Sequence, residues 1–90
     1  MMTGSEFQVR AWVEDVWDTV VLAVAPDWTV ARFKAEAVRA ATRVEPDPDR
    51  YQVKLHGALV LDETRSLSDL GATNRTTFTV LSARRRPLIR

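Results

Sequence analysis

Ninety residues with thirteen basic and twelve acidic side chains, a net charge of +1, fit one small domain. There is no cysteine and a single histidine, His56, which excludes a disulfide framework, thiol chemistry and a multi-histidine metal site. No apolar run approaches the ~20 residues of a membrane span, and the first residues lack the basic-then-apolar form of a secretory signal. The expectation is therefore a cytoplasmic protein that needs no cofactor.

In chain order, residues 1–6 are expected to be disordered. Phe7, Val9, Ala11 and Val13 alternate with Gln8, Arg10 and Trp12, the period of a half-buried strand. Glu14 to Asp18 reads as a tight turn and Thr19 to Ala25 as a second strand, with Val20, Leu22 and Val24 toward the core. The two are close enough to form a hairpin.

Pro26-Asp27 ends that strand, and Thr29 is placed to cap a helix over Val30–Arg43. Trp28 and Phe33 have the spacing of a hydrophobic staple. Val30, Phe33, Ala37, Ala41 and Val44 form a narrow apolar stripe, while Arg32, Lys34, Glu36, Arg39 and Arg43 fall mostly on other faces. Pro46 and Pro48 exclude continuation of the helix.

Tyr51–His56 is a third strand, with Tyr51, Val53 and Leu55 inward. Gly57 allows a bend, and Leu59–Leu61 is a short edge strand. Ser66 to Gly71 reads as one helical turn closed by glycine, and Thr76–Ser82 as the last strand, with Phe78 and Val80 inward. The expected core comprises Val9, Ala11, Val20, Leu22, Val30, Phe33, Ala37, Val53, Leu55, Leu61, Leu67, Phe78 and Val80. One helix across one face of a mixed five-stranded sheet is a two-layer α+β solution.

The charges are uneven. Arg84, Arg85, Arg86 and Arg90 leave nine basic against twelve acidic residues in the remainder, a mildly acidic body with a basic tail at 84–90.

The segment Pro26-Asp27-Trp28-Thr29-Val30 followed by Lys34-Ala35 resembles the entry of ubiquitin into its helix. Pro48-Asp49, Leu55-His56-Gly57, Leu61, Arg65 to Gly71 and Thr77 to Leu81 resemble later parts of ubiquitin, in the same order. The chain thus resembles the β-grasp ubiquitin-like proteins from Phe7 to about Arg86, with the domain itself expected over 7–83. The resemblance implies that a conjugated modifier or sulfur carrier ends in Gly-Gly. That place falls near Arg86-Pro87, and Gly-Gly occurs nowhere in the chain. Bulk, charge and a fixed φ replace two residues without side chains, so conjugation is not expected.

The resemblance also places an open sheet face opposite the helix. In ubiquitin an aliphatic patch on that face serves receptors; here its central position falls on Lys54, flanked by Thr79 and Leu81. Burying an ammonium in an apolar pocket is costly, so ordinary ubiquitin receptors are not expected to bind well. Arg10, Trp12, Lys54, Thr79 and Leu81 form the candidate partner-binding group, with Trp12 as anchor. Val16 and Trp17 at the hairpin tip are a second candidate. Arg84, Arg85, Arg86 and Arg90 are a third, electrostatic one for nucleic acid or an acidic membrane. The acidic body and the lack of aromatic interleaving argue against nucleic acid.

His56 lacks a nucleophile to work with and reads as a solvated side chain near a bend. Asp62-Glu63 reads as a solvated pair with at most weak cation affinity.

The favoured expectation is a non-enzymatic ubiquitin-like protein-interaction module, similar to the small accessory proteins of bacterial type VII secretion or multicomponent monooxygenases. A modifier or sulfur carrier with a processed C-terminus, and an electrostatic binder acting through the arginine tail, are the alternatives.

Overall fold

A computed structural model of the chain describes residues 7–43, 45 and 50–82. Its elements are β1 (Phe7–Val13), β2 (Asp18–Val24), α1 (Val30–Thr42), β3 (Tyr51–Leu55), β4 (Ala58–Leu59) and β5 (Thr77–Ser82), with short 3₁₀ turns at Glu14–Val16 and Ser68–Leu70. The five strands form one sheet in the order β2-β1-β5-β3-β4. β1 and β5 run parallel at its centre, and the other neighbours are antiparallel. This is the expected mixed sheet with one helix.

The strand alternation places Val9, Ala11 and Val13 of β1, Val53 and Leu55 of β3, and Phe78 and Val80 of β5 under the helix. From α1, Val30, Phe33, Ala37 and Val38 meet them, and the Phe33 and Phe78 rings pack with centroids 4.6 Å apart and planes tilted by 46°. Leu67 and Ala72 close the core from the long β4–β5 connection.

The start of α1 is fully provided for. Thr29 is extended, and its Oγ1 accepts the Arg32 amide at 3.1 Å. The Val30 and Ala31 amides donate to the carbonyls of Arg65 and Glu63. The first orphan donors of the helix are thus satisfied by its own cap and by a strap from the β4–β5 connection. Trp28 packs against the core, and the Arg32 guanidinium covers its ring at 4.2 Å. The helix ends when Arg43 turns left-handed (φ 64°) and its amide bonds to the Arg39 carbonyl, which is an αL cap. Val44, Pro46 and Pro48, which figured in the expected stripe and stop signal, lie outside the described residues, as do residues 1–6 and 83–90.

Three expectations are corrected. Lys34 is on the buried side of α1, only 3% exposed. Its Nζ donates to the Tyr51 carbonyl at 2.9 Å and to Glu63 Oε1 at 2.6 Å, so the ammonium is paired rather than solvated. Leu61 is 84% exposed instead of buried. The hairpin register pairs Lys54 with Leu59, and the Val60 amide bonds to the Val53 carbonyl. Val60 therefore takes the inward phase and Leu61 points out. Val20 and Leu22 are only half-buried, because β2 is the edge strand and has a neighbouring strand on one side only among the described residues.

The β3–β4 link is a two-residue hairpin turn with both His56 and Gly57 at positive φ (53° and 83°), the type I′ pattern.

Phe33→Ala is expected to destabilise the protein by ~3–5 kcal/mol in chemical denaturation, whereas Leu61→Ala is expected to stay within about 0.5 kcal/mol of the parent. Breaking the buried pair by Glu63→Ala is expected to cost roughly 1–3 kcal/mol, less than a fully enclosed pair because Glu63 is partly open to water.

Candidate functional site

The register assembles the open face. Trp12 lies opposite Thr19 on one side and Thr79 on the other; Thr79 lies opposite Lys54, and Lys54 opposite Leu59. Thr19, Trp12, Thr79, Lys54 and Leu59 thus form one row across all five strands, all on the side away from α1. Arg10 stands one row away between Val21 and Thr77, and Leu81 is paired with Gln52 on the next row. The five expected residues do share a face, with Trp12, Thr79 and Lys54 in direct cross-strand succession.

The hairpin tip is continuous with this face. After the 3₁₀ turn Glu14–Val16, Trp17 adopts φ 54°, ψ 43°, and its amide bonds to the Glu14 carbonyl. Left-handed backbone is uncommon for a bulky side chain. Here it places the Trp17 ring edge-on to Trp12, with centroids 5.7 Å apart and planes at 79°, a favourable aromatic geometry. Trp17 remains 76% exposed, and Val16 beside it is also exposed. What read in the sequence as two sites is one aromatic pair reaching from the sheet to its rim.

Two exposed apolar residues of this surface, Val21 and Leu59, escaped the sequence reading. Val21 was legible, since it is out of phase with Val20, Leu22 and Val24. Leu59 required the His56-Gly57 turn to fix the pairing with Lys54. Arg10 also borders a groove of about 290 Å³ that includes Val21 and Arg75. The cations of the face are therefore at its margin (Arg10, Arg75) and beside its central threonine (Lys54).

Elsewhere, a depression of about 480 Å³ between β4 and the β4–β5 connection is lined by Leu55, Leu59, Leu61, Leu70 and the exposed His56, among others. Asp62 and Glu63 are both engaged locally. Asp62 Oδ1 accepts the hydroxyl and the amide of Thr64, which hold its carboxyl below the usual carboxylate range, while Glu63 pairs with Lys34. Among the described residues no group of three His, Asp or Glu side chains converges as a metal site, and no helix is long and apolar enough to cross a membrane. Arg84, Arg85, Arg86 and Arg90 lie outside the described residues.

No protein-family model and no curated protein sequence matches the chain. Solved structures do match it. Ubiquitin of Caldiarchaeum subterraneum superposes with a TM-score of 0.73 at 20% identity, over 89% of this chain and 96% of that one. The ubiquitin-like domain of an Arabidopsis thaliana protein gives 0.71 at 18% identity, over 89% of this chain and 80% of that one. The fold is the ubiquitin-like β-grasp.

Two closely apposed indoles couple their electronic transitions. The far-ultraviolet circular dichroism is expected to carry an exciton couplet that both Trp12→Phe and Trp17→Phe abolish and Trp28→Phe leaves in place. A couplet surviving Trp17→Phe would contradict the edge-on pair.

Proposed function

We propose that the protein is a non-enzymatic ubiquitin-like interaction module that uses its open sheet face to bind a protein partner with an acidic contact surface. The observation that carries this reading is the Trp12–Trp17 pair, its ring centroids 5.7 Å apart, with Trp12 set beside Thr79, and Thr79 beside Lys54, by the strand register. Exposed tryptophan is rare on a surface that has no use for it and enriched in binding hot spots. Leu81 and Leu59 extend the apolar area, and Arg10 at the margin and Lys54 beside Thr79 select for negative charge.

The finer reading is a cytoplasmic bacterial accessory subunit, of the kind serving type VII secretion or multicomponent monooxygenases. Its support is the alanine-, arginine- and valine-rich composition, which suits a GC-rich bacterial genome, together with a fold that presents surface. Arg86-Pro87 in the place of Gly-Gly supports a role without conjugation.

Affinity capture from the source cell, with Trp12→Ala, Trp17→Ala and an 84–90 deletion compared against the parent, ranks the surfaces. Each tryptophan substitution is expected to lower partner recovery at least tenfold, as for loss of a hot-spot aromatic of ~2 kcal/mol, and the deletion to leave it within about twofold. Loss of partners only on deleting the tail would replace this reading with the electrostatic one.

A further inference from the structure

β2 is the outer strand of the sheet, with no strand beside its far edge among the described residues. The Arg10 amide donates to the Thr76 carbonyl, so Arg10 directs its backbone toward β5. In an antiparallel ladder the direction alternates, so Val9 and Ala11 face β2, and their partners Leu22 and Val20 face back. Thr19, Val21 and Ala23 therefore direct their backbone groups away from the sheet. The Thr19 amide is taken by Asp18 Oδ1 at 2.9 Å. Val21 and Ala23 keep both N–H and C=O free of partners among the described residues.

Exposed edges are ordinarily blunted by shortness, proline, lysine or a bulge. The opposite edge, β4, is two residues long. β2 has none of these devices. It is seven residues, Asp-Thr-Val-Val-Leu-Ala-Val, with one charge at one end and an unbroken register against β1. Its side chains are apolar on both faces, with Val20 and Leu22 half-buried beside α1 and Val21 56% exposed on the open face. An added strand would cover both.

We propose that the occupant is β2 of a second copy, paired antiparallel about a two-fold axis at Val21. The sequence is self-complementary in that register. Val21 meets its own mate and exchanges two N–H···O=C bonds with it. Thr19 lies across from Ala23, Val20 from Leu22, and Asp18 from Val24. Every pair on the helix side is apolar except at the two ends, so the core continues across the joint. The Asp18 carboxylates fall at opposite ends, roughly 20 Å apart, and no like charges are opposed. The product is a ten-stranded sheet with both open faces on one side, which offers two Trp12–Trp17 pairs to one partner surface. One strand pair buries less than the ~1,000 Å² of a stable interface, so the association is weak and concentration-dependent.

Sedimentation equilibrium from about 10 µM to 1 mM reads the association, and its expected outcome is a mass rising toward twice the monomer. Val21→Lys, which opposes two like charges at an already exposed position, is expected to weaken the dimer at least tenfold while circular dichroism shows the fold unchanged. The absence of native cysteine makes a register test direct. In the proposed pairing the Val21 Cα atoms are ~5.5 Å apart, within disulfide reach, and the Thr19 Cα atoms about 14 Å apart. Oxidised Val21→Cys is expected to give a covalent dimer and Thr19→Cys to remain monomeric. A monomer across the whole range without a Val21→Cys cross-link overturns the proposal. So does a dimer indifferent to Val21→Lys, or equal cross-linking from both positions.

Discussion

The parallel pairing of β1 with β5 is the constraint on which the rest of this structure depends. It joins segments nearly the full domain apart in sequence, through the Arg10 amide on the Thr76 carbonyl, the Arg75 amide on the Gln8 carbonyl and the Gln8 amide on Asn74 Oδ1. Parallel strands need a long crossover, and here that crossover is the helix, the β3–β4 hairpin and the strap that follows it. Because β5 enters between β1 and β3, Trp12, Thr79 and Lys54 become neighbours. Without that insertion they would be three unrelated side chains.

The crossover is held to the sheet by Lys34. Its ammonium joins the first half of the helix to the start of β3 through the Tyr51 carbonyl and to the strap through Glu63. The same strap supplies carbonyls to the amides of Val30 and Ala31. One connection thus both satisfies the helix terminus and neutralises the only charged side chain counted among the buried described residues. Burying such a pair is of little net benefit compared with apolar packing. Its value here is geometric, since each partner lies on a different element.

What was legible in the sequence follows from which interactions are local. The Thr29 cap, the alternation of β1 and the Phe33, Phe78 and Leu67 core are short-range patterns, and the structure has them as expected. Lys34 was misplaced because its partners are 17 and 29 residues away. A polar residue bordering an apolar stripe is ordinarily solvated. Leu61 was misplaced because a two-residue strand carries no period of its own, and the left-handed His56-Gly57 turn sets its phase. For the site, the alternation alone put Trp12 on the outer face. The tip read as a separate contact because nothing in Glu14 to Asp18 announces that Trp17 takes a left-handed backbone and turns its ring toward Trp12.

The central claim is that partners approach the sheet and not the helix. It is tested most directly by placing a photoactivatable phenylalanine analogue at Thr79, in the middle of the open-face row, or at Ala40, exposed on α1. Each is then irradiated in the source cell. The account predicts a discrete cross-linked species from position 79 that is absent from position 40. A cross-link from position 40 with none from position 79 would contradict it.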